Sequence, residues 1–304
     1  MRIPHITILM ATFNGAAFLD AQLQSIRTQL HENWTLIISD DGSDDETLSI
    51  IQQFCAAYPS LKIQLITGPA KGSSENFWHL VGHIPAWSDY VAFADQDDVW
   101  MPQKLTRAIS ALAPVKTAGL YGACSIEVDA NLCVLGRSAR IGRGLSLKNA
   151  LVQNVFSCNS CVVNRTGIDI LRKARGRGYI FDWYLYQLFA AIDAELIHDP
   201  QPSYYYRQHT QNQIGANRGL CARLFRMGQM LSGQFRSWNQ INIDALWADK
   251  DLMTEANQRI LDRFQRVRTR IGFSAAREVW KIGLVRQGPI GQMGLYVSAI
   301  LGRL

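Results

Sequence analysis

Four short β-type runs, at residues 5–10, 34–39, 61–67 and 90–94, constrain the fold more than any other feature of the chain. Each is compact, apolar and rich in β-branched or aromatic residues, and turn-forming residues bound it, so each reads as a buried strand. Helical patterns fill the gaps. Apolar residues recur at Phe18, Leu19, Leu23, Ile26 and Leu30, a second helix is expected over about 44–58 with Pro59 as its stop, and a third over 76–83. The order β-α-β-α-β-α-β predicts an α/β fold with a largely parallel sheet covered by helices on both faces.

The strand ends carry the chemistry. The first run leads into Ala11-Thr-Phe-Asn-Gly15, the second into Asp40-Asp-Gly-Ser-Asp-Asp-Glu46, and the fourth into Asp95-Gln-Asp-Asp98. In open sheets of this kind ligands bind outside the carboxyl ends of the strands. Closely spaced carboxylates without a neighbouring His or Cys suit a hard divalent cation. The alternative for 95–98 is a solvated acidic turn. Ser43 and Glu46 have capping-box spacing at the start of the second helix.

Beyond Gln103 a helix is expected to about Leu112, then strands over 118–128, 134–140 and 155–164. Residues 172–178 read as a basic, glycine-broken loop, 183–191 as an apolar helix and 195–198 as a short strand before the three tyrosines at 204–206. From Arg218 the pattern changes to apolar residues at helical spacing with arginines between them. This predicts a first domain over 1–217 and a mainly helical C-terminal region over 218–304.

The chain has 304 residues, 48% hydrophobic and 18% charged, which excludes disordered and collagen-like classes. Its net charge of +6 is uneven: residues 218–304 hold 14 Lys/Arg against 6 Asp/Glu, while 1–217 hold 17 against 19. The basicity belongs to the tail and points to an anionic partner surface. The six cysteines are scattered, and Cys158-Asn-Ser-Cys161 has no second pair, so buried thiols are expected rather than a zinc or redox site. No apolar run reaches the ~18 residues a membrane span needs, and the first residues carry no signal-peptide cleavage pattern. A cytoplasmic protein is expected, docked on the inner membrane's cytoplasmic face if the tail binds lipid.

Five segments, ATFNG at 11–15, ISDDGSDDET at 38–47, ADQDDVWMPQKL at 94–105, FDW at 181–183 and YRQHTQNQIG at 206–215, resemble the inverting family-two nucleotide-sugar glycosyltransferases of GT-A fold. They are most similar to the bacterial rhamnosyltransferase-like branch. The resemblance covers about residues 5–215. It implies a nucleotide-sugar donor, a Mg2+ or Mn2+ cofactor and a saccharide or lipid-linked saccharide acceptor in surface-polysaccharide synthesis.

The resemblance also distributes roles. Thr12, Phe13, Asp40 and Asp41 fall at the nucleotide base. Phe13 would stack on a pyrimidine, and Asp41 would accept from its ring N–H. The alternatives are a core side chain for Phe13 and helix capping for either acid. In the DxD element Asp95 lies towards the ribose, Asp97 ligates the metal and Asp98 supports it. Arg207 is expected on phosphate, or else in a surface ion pair, and His209 on the metal or the diphosphate. Asp182 is the expected general base, with helix N-capping as its other reading. The acceptor-side segment reads SCNSCVV where the family is often glycine-led, which leaves the acceptor pocket undefined. The Gln-x-x-Arg-Trp signature of processive synthases is absent, so single-sugar addition is favoured.

The specific expectation is transfer of rhamnose from dTDP-rhamnose, with a UDP-hexose or UDP-N-acetylhexosamine donor as the alternative. A non-catalytic nucleotide- or metal-binding module is the reading from another class, and no nucleic-acid reader accompanies the basic tail. The tail fits either a membrane-surface element or a packing bundle, and a homo-oligomer is left open.

Overall fold

A computed structural model describes residues 2–209 and 233–304. The expected boundary at 217 and most of the 206–215 segment lie outside them. The chain divides into two compact units that do not follow a single cut in the sequence. One comprises Met1–Ala139, Phe156–Lys173 and Ile197–Gly215; the other comprises Arg140–Val155, Ala174–Leu196 and Ala216–Leu304.

The first unit holds a nine-stranded sheet among its described residues. It opens with β1 (Ile6–Thr12), α1 (Leu19–Arg27), β2 (Trp34–Asp40), α2 (Thr47–Ala57), β3 (Ile63–Thr67), α3 (Ser73–Gly82) and β4 (Tyr90–Ala94). These strands pair in parallel in the order β3-β2-β1-β4. Every residue of β1 is buried, as a central strand covered on both faces requires. α1 turns Leu19, Leu23 and Ile26 into the core against Ile8, Met10 and Leu36.

The sheet is mixed beyond β4. β5 (Val99–Trp100), α4 (Lys104–Leu112), β6 (Gly119–Val128), β7 (Val134–Arg137), β8 (Val162–Asn164) and β9 (Glu195–Arg207) follow. β8 runs antiparallel to β4 and β6, β7 to β6, and β5 to β9. The fold class is the expected one, with the parallel pairing confined to β3-β2-β1-β4.

Local differences have local causes. The strand expected over 155–164 shrinks to β8, because residues 158–160 form a 3-10 turn. A helix not foreseen, α6 (Arg165–Lys173), starts where Asn164 Oδ1 accepts the Gly167 amide at 3.0 Å, and Ile168 and Leu171 bury its inner face. The strand at 195–198 continues through the tyrosines as β9. The capping box does not form. Ser43 Oγ donates to Asp40 at 2.6 Å instead, and Asp45 accepts the Thr47 amide at 2.9 Å.

The second unit is helical among its described residues: α5 (Leu147–Ala150), α7 (Phe181–Ala191), α8 (Gln234–Ala248), a 3-10 turn at Lys250–Leu252, α9 (Glu255–Val267), α10 (Phe273–Ile282) and α11 (Pro289–Ile300). α7 is buried on every side except at Asp182, which explains its apolar sequence. Trp183 Nε1 donates to the Ala150 carbonyl at 2.7 Å, Tyr184 OH to Asp249 at 2.7 Å, and Asn257 Nδ2 to the Ala191 carbonyl at 3.0 Å. Arg268 is buried among the tail helices and ties them together. It donates to the Leu304 carbonyl at 3.0 Å, Gln240 Oε1 at 2.7 Å and the Arg236 carbonyl at 2.6 Å. No described helix is long and apolar enough to cross a membrane.

Candidate functional site

Sheet register assembles the site in the first unit. Thr12 pairs with Asp40 across β1 and β2, and Met10 with Ala94 across β1 and β4, so Phe13, Asp41 and Asp95 all emerge at one edge. The β5–β9 ladder, Val99 opposite Tyr205 and Trp100 opposite Tyr204, runs antiparallel and carries residues 97–98 alongside Arg207.

At one end of this edge the loops after β1 and β2 are stitched together. The Asn14 amide donates to Ser43 Oγ at 2.9 Å, and the Gly15 amide to Thr47 Oγ1 at 2.8 Å. Asp40 organises this loop. It accepts from the Ser43 amide at 2.8 Å and from Thr12 Oγ1 at 2.8 Å, so both Thr12 and Asp40 are buried in structural bonds. Neither Asp40 nor Asp41 caps α2. Asp41 holds the loop after β3, accepting the Ala70 and Gly72 amides at 2.7 Å each, one on each oxygen. A carboxylate offers about four lone-pair sites, so each oxygen keeps one for a ligand N–H. Gly68 is required here, because a Cβ would stand 2.8 Å from both Asp41 Oδ1 and the Asp40 carbonyl.

Phe13 is 55% exposed, which rules out the core reading and leaves its ring open to a planar ligand. Its backbone is held on both sides by Gln96, the middle residue of the DxD element. The Phe13 amide donates to Gln96 Oε1 at 2.9 Å, and Gln96 Nε2 donates back to the Phe13 carbonyl at 2.9 Å.

At the other end Asp97 Oδ2 lies 2.8 Å from His209 Nε2, both side chains partly open to solvent. One carboxylate and one imidazole fit a divalent cation of the Mn2+ kind, and the carboxylate also suits Mg2+. No cluster of three such donors occurs among the described residues. Asp95 is half-buried at the end of β4. Asp98 is wholly buried and serves as an anchor: it accepts the Arg207 amide at 3.1 Å and the Asn159 side-chain amide. Burial pushes its carboxyl well above the usual range, with Asp97 and Asp95 adding to the effect and the two hydrogen bonds opposing it. Lys104, also wholly buried, donates to the Asn159 carbonyl at 2.6 Å and lies over the Trp100 ring at 4.5 Å. Burial lowers its ammonium to about 7, against the pull of Cys161, Asp98 and Asp95.

Arg207 is turned inward. It donates to the Asp97 carbonyl at 2.9 Å and to the Ala130 carbonyl, and its guanidinium covers the Phe18 ring at 4.6 Å. Phe18 also meets the His209 ring at a centroid distance of 4.8 Å. Arg207 is therefore a brace for the DxD backbone in this structure. Asp182 belongs to the second unit, as the second residue of α7. Ile180 holds the N-cap position, so the capping reading of Asp182 fails.

Residues 7–129 match the Glycosyl transferase family 2 model. The chain is 29% identical over 245 residues to the dTDP-rhamnosyl transferase RfbG of Shigella flexneri, covering 75% of this chain and 81% of that one. Residues 7–129 of the chain thus carry a glycosyl transferase family 2 domain. The chain is also 27% identical to the Escherichia coli UDP-Glc:alpha-D-GlcNAc-diphosphoundecaprenol beta-1,3-glucosyltransferase WfgD, over 53% of this chain and 60% of that relative. Among solved structures it resembles the mannosyltransferase PcManGT from Pyrobaculum calidifontis in complex with GDP-Man and Mn2+. The TM-score there is 0.55 at 14% identity, over 98% of this chain and 86% of that one, which establishes a shared fold.

Three parts of the candidate site escaped the sequence reading: the Gln96 clamp, the Asn159 anchor and the Phe18 platform under Arg207 and His209. Asn159 lies within the segment SCNSCVV, and its signal was a polar amide in an otherwise small, apolar run. Cys158 and Cys161 flank it as buried thiols, as expected, and Cys161 Sγ donates to the Ser157 carbonyl at 3.2 Å.

Proposed function

We propose that the chain is a metal-dependent, inverting transferase that moves rhamnose from dTDP-rhamnose to a saccharide acceptor, lipid-linked in the cell, during bacterial surface-polysaccharide synthesis. The observation that carries the donor is the similarity to a dTDP-rhamnosyl transferase over most of both chains. The exposed Phe13 ring supplies a face for the pyrimidine, and Asp41 a nearby acceptor for its ring N–H.

Asp97 and His209 would hold a divalent cation at the diphosphate. When bound, that cation offsets the negative charge gathering on the departing nucleoside diphosphate. Asp95 lies towards the ribose, and Asp98, Asn159 and Arg207 keep the acidic loop in place. Asp182 is the base in this reading. The acceptor hydroxyl oxygen bonds to the anomeric carbon from the face opposite the leaving group, the bond to the diphosphate oxygen breaks, and the hydroxyl proton passes to the Asp182 carboxylate.

The test is a donor screen with Mn2+ or Mg2+, reading nucleoside diphosphate release and thermal shift across dTDP-, UDP- and GDP-sugars. Preference for dTDP-rhamnose is expected. Preference for a UDP-hexose, which the likeness to WfgD would favour, replaces the donor and keeps the chemistry. A response to none of them returns the chain to a binding module.

A further inference from the structure

The outward faces of the tail helices differ sharply in chemistry. α9 buries Leu261, Phe264 and Val267, and its outer surface carries ion pairs such as Arg266–Asp262 and Arg259–Glu255, as a solvated helix should. α10 and α11 form an antiparallel pair joined where the Gly272 amide donates to the Ile300 carbonyl at 2.8 Å. Their inner faces bury Ala275, Val279 and Ile282 on one helix and Leu295 and Ala299 on the other. Their outer faces are also apolar. Phe273 is 84% and Trp280 70% exposed, seven residues apart on α10. On α11 and just past its end, Ile290, Met293, Val297 and Leu301 are exposed by 43% or more and follow each other at helical steps of three, four and four. Exposed aromatic and aliphatic side chains gathered on one helix pair in this way mark an interaction surface.

Charge selects the partner. Residues 268–304 hold six Lys/Arg and one acid, Glu278. That acid is already shared by Arg263, Arg270 and Lys281, at 3.8, 3.9 and 3.2 Å. Arg277 lies on the exposed side of α10 between Phe273 and Trp280, and Arg303 follows Leu301. Two copies meeting through this face would bring like charges together. An apolar stripe with aromatic residues and a cationic rim fits the interface of an anionic bilayer. α11 has 12 residues, about 18 Å of helix, so it can lie in the interface but not cross it.

We infer that the outer face of α10 and α11 seats the protein on an anionic phospholipid surface, with Phe273, Trp280, Ile290, Met293, Val297 and Leu301 as the inserted side chains. This goes beyond the donor assignment and does not depend on it.

The experiment is co-sedimentation of the full chain with phosphatidylcholine vesicles with and without phosphatidylglycerol. The wild type and the variants Phe273→Ser/Trp280→Ser and Arg277→Glu are compared. The expected result is partitioning at least tenfold stronger to vesicles containing phosphatidylglycerol, weakened at least tenfold by the serine pair and several-fold by Arg277→Glu. The changed side chains are exposed, so melting temperature and donor-induced thermal shift stay at wild-type values; that separates failure of this inference from failure of the donor reading. Equal recovery with both vesicle types, or undiminished binding by the serine pair, overturns it. So does a solution dimer, seen by light scattering, that the serine pair dissolves, because a second copy would then cover the face.

Discussion

Replacing Gln96 by Ala tests whether the DxD element works on the base end of the site as well as on the metal. The substitution removes both bonds to the Phe13 backbone and touches neither the Phe13 ring nor Asp97. At a partly solvated rim each bond contributes roughly 0.5–1 kcal/mol net. Their joint loss, about 1–2 kcal/mol, corresponds to a five- to thirty-fold weaker nucleotide Kd. Calorimetric titration of dTDP and UDP with Mn2+ present reads this directly. The decisive measurement is a double-mutant cycle with Phe13→Ala. If Gln96 acts by holding Phe13, the double variant binds no worse than Phe13→Ala alone, and the coupling equals the Gln96→Ala loss. Gly15→Ala offers an independent route to the same state: the added Cβ would stand 2.3 Å from Gln96 Oε1 and must displace it. Additive losses in the cycle, or an unchanged Kd in Gln96→Ala, would refute the clamp.

Asp97→Ala should abolish the Mn2+-dependent part of nucleotide binding, and His209→Ala should weaken it about tenfold; titration with and without EDTA checks both. Asp182→Asn should reduce transfer at least a thousandfold while the nucleotide-induced thermal shift persists; near-normal turnover would remove Asp182 from the role. His5 is lowered to about 4, by burial first and then by Lys62, from its ordinary 6.5. Below about 6.5 the unfolded chain therefore takes up a proton that the folded chain refuses. Stability falls as pH drops from about 6.5 to about 4, by roughly 2–3 kcal/mol, and is flat above that window. Melting curves of the wild type should show this slope and His5→Gln should lack it; parallel curves would exclude His5 as the source. Arg268→Met strands the buried Leu304 carbonyl and two part-buried acceptors and should cost about 1–3 kcal/mol of stability, read as a lower urea midpoint, whereas exposed Arg259→Met should cost under about 0.5.

The sequence revealed most where one residue type has few uses. Carboxylates at the ends of apolar strands have little reason to be there except loop order or ligands, so Asp41, Asp95 and Asp97 stood out. The neutral amides Gln96 and Asn159 can do many things. Their partners, Phe13 and Asp98, lie 83 and 61 residues away in sequence, so only the folded sheet edge shows what they hold. Ser43 and Glu46 had capping spacing, but Asp40 bonded the hydroxyl first. The same acid drew in Thr12, so both residues help to build the loop. Arg207 stood out in sequence as a cation beside the late His209. Its inward turn depends on Phe18 and the Ala130 carbonyl, which no local pattern connects to it. In the tail, helical spacing identified apolar stripes without telling a buried stripe from an exposed one. α9 intersperses charges with its apolar stripe and α11 carries none, so which α11 side chains are covered shows only in the fold.

The bond from the Arg207 amide to Asp98 spans 109 residues, and that from His209 to Asp97 spans 112. A chain emerging from the ribosome has every residue of the Phe13 end once it reaches residue 96, yet it lacks the His209 end until residue 209 is out. At about 5–20 residues per second that interval is several seconds. During it the Phe13–Gln96 contacts have both partners, while the Asp98–Arg207 and Asp97–His209 contacts do not. Any fragment ending before 207 would share that state, so the two ends of the candidate site come into being at different times in the life of each molecule.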